Sequence, residues 1–200
     1  MDKGKIWGTE PSTVAKYSLK LFKKYNINKI LIPGSGYGRH TKFFSINNYD
    51  VTGIEISEEA IKISKKFDSK SKMILGSVLN MPFSTEKYDA IFCFNVLHLL
   101  LENQRVLFLE KCYNQLQENG FVFFSVFSEL EESFGKGAKI EENTFESKRY
   151  RPTHYFTEKD LLDHFKAFNV IETNIIEEKE DHGELGPHIH KLRYIFAVKT

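Results

Sequence analysis

Lys29-Ile30-Leu31-Ile32-Pro33-Gly34-Ser35-Gly36-Tyr37-Gly38-Arg39 decides how this chain is read. A short apolar run meets three alternating glycines, as a strand does where the backbone must pass close to a ligand. A second apolar segment with an acid at its end, Val51-Thr52-Gly53-Ile54-Glu55, follows one βα unit later. A carboxylate at that tip suits a ribose diol, and Glu55 stands 21 positions after Gly34, close to the spacing of a ribose-binding acid. The pair predicts a nucleotide-like cofactor. Position 39 is arginine where the dinucleotide fingerprint wants Gly or Ala, and no Gly-Lys-Ser/Thr follows as a phosphate loop needs.

Strand-like and helix-like runs alternate outward from this stretch. Strands are expected over 29–33, 50–54, 72–75, 88–94 and 121–127. Helices are expected over 11–25, 39–46, 58–67 and 103–117. The inward faces predicted are Val14, Tyr17, Leu21 and Phe22 on the first helix, and Ala60, Ile63 and Phe67 on the third. On the fourth, Val106, Leu109, Tyr113 and Leu116 are in phase, with Asn119-Gly120 as the stop. Thr157-Glu158-Lys159-Asp160 opens a last helix to about residue 167, and strands over 170–177 and 192–199 close the chain. The pattern predicts an α/β fold: a doubly wound, Rossmann-like mixed sheet of about seven strands with a C-terminal antiparallel hairpin and helices on both faces. One domain, 1–200, divides into an N-terminal helix or cap (1–28), a cofactor-binding core (29–127), a lid or acceptor loop (128–156) and a C-terminal helix and hairpin (157–200). The ligand is expected at the carboxyl ends of the strands, beside strand one. The connection from Ser128 to Tyr155 is long for a compact domain, and two arginines with aromatics there suit an acceptor lid.

Composition bounds the function. The 200 residues are 41% apolar and 28% charged, with net charge +1 and no basic stripe, which argues against a dedicated nucleic-acid binder. Cys93 and Cys112 stand in apolar surroundings without metal-ligand spacing, as buried free thiols of a reducing compartment do. The longest apolar run, 90–101, is broken by Asn95 and His98 and is too short to span a bilayer. The N-terminus lacks a secretory apolar region. A cytoplasmic protein without membrane or nucleic-acid partners is expected.

Five segments, the two above among them, carry a resemblance. Residues 31–38 with 51–57 look like the first two motifs of class I S-adenosylmethionine-dependent methyltransferases. Gly76-Ser77-Val78-Leu79-Asn80-Met81-Pro82-Phe83 is similar to that family's third motif. Tyr88 to His98 and Leu116 to Val122 resemble the fourth and fifth. They cover about residues 29 to 127 in the family's order, and the match is nearest to small bacterial methyltransferases, including the tellurite-resistance type. The resemblance implies S-adenosyl-L-methionine as cofactor and a small-molecule methyl acceptor. It implies that Gly34, Ser35, Gly36 and Gly38 line the methionine part, that Glu55 holds the ribose hydroxyls, and that Ile56 packs on adenine. Ser77 takes the place of the acid that usually meets the adenine amino group, with Val78 beside it. Asn95 presents a backbone carbonyl to the cofactor's ammonium. The fourth motif has no N/D-P-P-Y and no Pro-Cys nucleophile, which removes the amino-methylating and cytosine C5-methylating nucleic-acid enzymes. Glu131-Glu132 lacks the spacing of an arginine methyltransferase loop.

His98, after strand four, and His154 are the candidate catalytic bases. Trp7 is placed over the bound cofactor. His182, His188 and His190 cluster near the last hairpin, where they suit the acceptor pocket. No metal is expected, because no carboxylate or thiolate has ligand spacing to them. Two other functions remain open on the sequence: an NAD(P)-linked oxidoreductase, and a non-catalytic cofactor-binding subunit, to which Ser77 points.

Overall fold

The computed structural model describes residues 8–181 and 187–200. The strands β1 (Lys29–Pro33), β2 (Asp50–Glu55), β3 (Lys72–Leu75), β4 (Tyr88–Phe94), β5 (Leu116–Phe127), β9 (Phe168–Asp181) and β10 (Pro187–Lys199) form one sheet in the order β3-β2-β1-β4-β5-β10-β9. The first five are parallel. β10 enters antiparallel between β5 and β9, so the hairpin expected at the C-terminus is present and longer than its apolar runs suggested. The order reverses between β1 and β4, which opens the crevice where such sheets take ligands.

Period-two alternation along the buried strands sends side chains to both faces. Ile30, Ile32, Ala90, Phe92, Phe123 and Phe196 pack with Val14 and Phe22 of α1 (Thr13–Lys24) and Phe44 of α2 (Arg39–Ile46). Leu31, Ile91, Phe124 and Ile195 pack on the other face with Phe108 of α4 (Glu102–Gln115), and with Leu161 of α5 (Glu158–His164) and the adjoining Phe165. Side-chain caps start three helices: Ser12 accepts from Ala15 N at 3.0 Å, Ser57 from Ala60 N at 3.2 Å at the start of α3 (Glu58–Phe67), and Thr157 from Asp160 N at 3.2 Å.

Three expectations need correction. The inward face of α4 is Arg105, Phe108, Leu109 and Cys112, while Val106 is 59% exposed. The phase turns because Arg105 lies inward, donating from Nη1 to Leu100 O at 2.7 Å and from Nε to His164 Nε2 at 3.1 Å. On α3 the buried residues are Ile61 and Ser64, with Ala60, Ile63 and Phe67 at the rim; on α1, Tyr17 and Leu21 are likewise half-buried. Asn119-Gly120 does not end a helix. The chain is already extended at Leu116, which pairs with Tyr88, and Asn119 at φ 60° makes a bulge inside β5.

The connection 128–156 is mostly a second sheet. β6 (Ala138–Glu141), β7 (Thr144–Lys148) and β8 (Arg151–His154) pair antiparallel in that order. The sheet is fastened to the body at both ends. Phe156 N donates to Phe127 O at 2.9 Å, and Arg193 Nη2 meets both oxygens of Glu129, at 2.8 and 3.1 Å. No helix among the described residues is long and apolar enough to cross a membrane.

Candidate functional site

The glycine loop is built by backbone torsions that other residues resist. Gly34, Gly36 and Gly38 lie at φ 68°, 57° and 94°. A Cβ on Gly34 would stand 2.3 Å from Val96 Cγ2, so only glycine lets β1 turn this close to the end of β4. Gly38 caps α2 without a side chain, and the three-residue turn before it closes by Gly38 N donating to Ser35 O at 3.2 Å. Ser35 N in turn donates to Ile54 O at 3.0 Å, which ties the loop to β2.

Glu55 ends β2 facing this loop. Its Oε2 accepts from Gly36 N at 2.9 Å and its Oε1 from Ser57 N at 2.8 Å, so both oxygens are oriented by backbone before any ligand arrives. Ile56, beside it, is 71% exposed at the rim of the crevice. Ser77 caps a short 3-10 turn, Val78–Asn80, by accepting from Leu79 N at 3.2 Å. Its hydroxyl therefore keeps a proton to donate, with Val78 half-buried behind it. Asn95 takes a left-handed φ of 56° at the end of β4. Its N donates to Ser125 O at 3.0 Å, and its Oδ1 accepts from Ser125 Oγ at 3.2 Å. Gly34, Ser35, Gly36, Gly38, Glu55, Ile56, Ser77, Val78 and Asn95 thus all stand at strand ends on one edge of the sheet. Trp7 lies outside the described residues. Gly8 O accepts from Tyr37 Oη at 2.5 Å, which ties Gly8 to the glycine loop.

His98 sits in a 3-10 turn after β4, 3% exposed. Its Nδ1 accepts from Phe127 N at 3.3 Å, which leaves the ring proton on Nε2 in the neutral form. Burial, with the charges of His190, His154 and Arg151 nearby, pushes its pKa down to about 3. The ring stacks on Phe127 at 4.2 Å between centroids, and Phe127 stacks in turn on His190 at 5.0 Å. His154 is placed differently. Its Nδ1 pairs with Thr144 Oγ1 at 2.8 Å and its Nε2 with Asp160 Oδ2 at 2.6 Å, bridging β7, β8 and α5. Burial lowers its pKa against the opposing hydrogen bond to Asp160. Burial also disfavours the Asp160 carboxylate, but hydrogen bonds with His154 and His164 outweigh it and hold that carboxyl well below its usual range. With the imidazole neutral, as its lowered pKa favours, Nε2–H donates to the Asp160 carboxylate.

Sequence reasoning missed two side chains. Arg39 reaches across the crevice to Glu180 of β9 at 3.4 Å and lies over the Phe94 ring at 5.4 Å. Glu131, buried just after β5, accepts from Lys191 N and stands 3.1 Å from His190 Nδ1. Local spacing carries no signal for either contact, since the partners are 141 and 59 positions apart. His188 and His190 do meet near the last hairpin; His182 lies outside the described residues.

The family model described as a methyltransferase domain matches residues 31–124. TehB from Haemophilus influenzae superposes with a TM-score of 0.70 at 19% identity over 92% of this chain; the chain spans 62% of that protein's length. A S-adenosylmethionine-dependent methyltransferase from Methanosarcina mazei gives 0.76 at 18% identity, covering 90% of this chain and 96% of that one. The 1,6-didemethyltoxoflavin-N1-methyltransferase of Burkholderia thailandensis, solved with 1,6-didemethyltoxoflavin and S-adenosylhomocysteine bound, gives 0.70 at 19% identity, covering 94% and 79%. None of the curated proteins matches the sequence. The matched span holds β1 to β5 with the glycine loop and the oriented Glu55: residues 31–124 match a methyltransferase-domain model, and the chain shares its fold with these methyltransferase structures.

Proposed function

We propose that the protein transfers a methyl group from S-adenosylmethionine to a small-molecule acceptor bound between the ends of β4 and β5 and the β6–β8 sheet. The observation that carries this reading is the Glu55 carboxylate, fixed by Gly36 N and Ser57 N beside a loop that only glycine can form. That cradle fits a ribose diol, whose hydroxyls donate to a carboxylate in charge-assisted hydrogen bonds. The glycine turn gives the methionine part close backbone approach, Ile56 offers an apolar face to adenine, and the Ser77 hydroxyl and Val78 backbone suit the adenine edge. The Asn95 carbonyl suits the ammonium, and Trp7 is assigned to cover the cofactor.

When bound, the cofactor supplies a methyl on a positively charged sulfur. Gly34, Gly36, Gly38, Glu55 and Asn95 would hold that group, which would supply its methyl to an acceptor lone pair and leave as a neutral thioether, with any acceptor proton passing to solvent. The protein's work is alignment at near-attack distance and exclusion of water. The aromatic wall formed by Phe127, Tyr155, Phe134 and Phe145, with centroid spacings of 5.5 to 6.3 Å, suits an apolar or planar acceptor. His98 is the catalytic residue we assign, as the Nε2–H donor that orients the acceptor atom: a pKa of about 3 makes it a poor proton acceptor. His154, with both nitrogens occupied, is assigned a positioning role under the small sheet.

Structures of this fold include a 1,6-didemethyltoxoflavin-N1-methyltransferase and a glycopeptide N-methyltransferase, which supports acceptors outside nucleic acids. The two buried free cysteines support a cytoplasmic setting. A screen of small planar and anionic acceptors, read as S-adenosylhomocysteine release, tests the reading. Turnover with at least one acceptor, reduced in His98→Ala, is expected. Turnover on RNA or DNA alone would overturn the small-molecule assignment.

A further inference from the structure

His188 and His190 stand two apart on β10, so the strand's period turns both rings to one face, with centroids 4.5 Å apart. Glu131 meets them from the turn after β5. One donor atom from each of the three lies within 4.8 Å of the others, and the side chains of Glu131 and His190 are only 2% and 12% exposed. Methyl transfer as derived above uses none of them.

We propose that Glu131, His188 and His190 bind a divalent d-block cation of the zinc class at this end of the sheet. Two imidazoles and a carboxylate are donors that suit such ions, whereas calcium and magnesium prefer all-oxygen shells. Neighbouring ligand atoms on a tetrahedral ion with bonds of about 2.0–2.1 Å stand about 3.3 Å apart. The separation of 3.1 Å between His190 Nδ1 and Glu131 Oε2 is close to that. A cation between them would also offset the charge of a carboxylate taken out of water. The outer shell has the matching order. Glu180 Oε2 lies 3.8 Å from His190 Nε2, in ion-pair range but beyond hydrogen-bond length, on the ring nitrogen that does not face Glu131, and Arg39 holds Glu180 in place at 3.4 Å. A carboxylate behind a ligating imidazole is the usual way such a ring is oriented. Because Phe127 stacks on both His190 and His98, the ion would sit one ring away from the side chain assigned to the acceptor. It would also pin the segment after β5 to the last hairpin. The site itself does not depend on the identity of the acceptor.

The full chain, treated with a chelator and dialysed, is titrated with Co2+ by visible absorption and then with Zn2+ in competition. The expected result is saturation at one equivalent, displacement by Zn2+, and a higher melting temperature with Zn2+. His188→Ala and Glu131→Gln should each weaken binding by at least about tenfold. Calorimetric S-adenosylhomocysteine binding, unchanged in both variants, shows that they fold. Should Glu131→Gln not fold, His188→Ala, which removes a half-buried ring, decides alone. No saturable Co2+ binding by the wild type overturns the proposal, as does wild-type affinity in the folded variants. Failure of S-adenosylhomocysteine to bind a chain that binds Co2+ would count against the cofactor assignment and leave this one standing.

Discussion

Glu55 is the residue on which the proposed cofactor recognition turns. Its two oxygens accept from Gly36 N and Ser57 N, and these amides face the crevice without it. Glu55→Ala should weaken S-adenosylhomocysteine binding by about 1.5–3 kcal/mol, the scale of hydrogen bonds to a charged group, with little change in thermal stability; calorimetry beside a melting curve checks both. Gly34→Ala tests the close approach behind it. At φ 68°, with Val96 Cγ2 2.3 Å from the added carbon, it should cost about 1–3 kcal/mol of unfolding free energy. Val96→Ala in the same chain should recover part of that loss in denaturant titrations, and no recovery would mean that backbone strain alone sets the cost. Gly34 and Glu55 were legible in the sequence because one βα unit holds both. Glu131 with His190, and Arg39 with Glu180, were not. Each pair joins distant segments through the register of β10 against β5 and β9, which local spacing does not encode. The absence of nearby carboxylates around the histidines was thus a statement about the chain and not about the fold.

At the level of elements, β1 to β4 were readable to within a residue, since buried parallel strands are largely apolar runs, whereas β5 begins five residues before the expected 121–127. The face of α4 was not, because a buried arginine occupies an inward position that hydrophobic periodicity assigns to solvent. The β6–β8 sheet was invisible for a related reason. Its strands are short and largely exposed, with burial patterns that do not alternate between core and water. What fastens it is polar: Thr144, His154 and Asp160 form one hydrogen-bonded bridge to α5. His154→Ala leaves Asp160 and Thr144 without that partner and should cost about 1–3 kcal/mol. Limited proteolysis should then cut faster between residues 138 and 153, while S-adenosylhomocysteine binding stays near wild type. Unchanged cleavage would show that the apolar contacts of Tyr155 and Phe156 hold the sheet unaided.

For the molecule as a whole, buried histidines couple folding to pH. Burial lowers His40 well below its ordinary value, His98 to about 3, and His154 in the same direction. A group that titrates lower when folded contributes stability that is present above its unfolded pKa, about 6.5, and lost as pH falls below it. His190 works in the opposite sense: burial lowers it, but the hydrogen bond and charge of Glu131, with the charges of Glu180 and Glu178, together raise it, so its contribution fades as pH rises. The three lowered groups prevail. Urea unfolding should show stability falling from pH 7.5 to 5.5, by up to about 1.4 kcal/mol per pH unit for each unmatched proton. His98→Asn should flatten that slope, and a flat wild-type profile would contradict the burial of these rings as neutral species.

The central claim is that the crevice beside β1 takes a methyl donor and not a hydride carrier, and calorimetric titration of the wild-type chain with S-adenosylhomocysteine and with NADH tests it most directly. One equivalent of S-adenosylhomocysteine should bind, NADH should not, and Glu55→Ala should abolish most of the affinity. Binding of NADH by a chain that ignores S-adenosylhomocysteine would contradict the account.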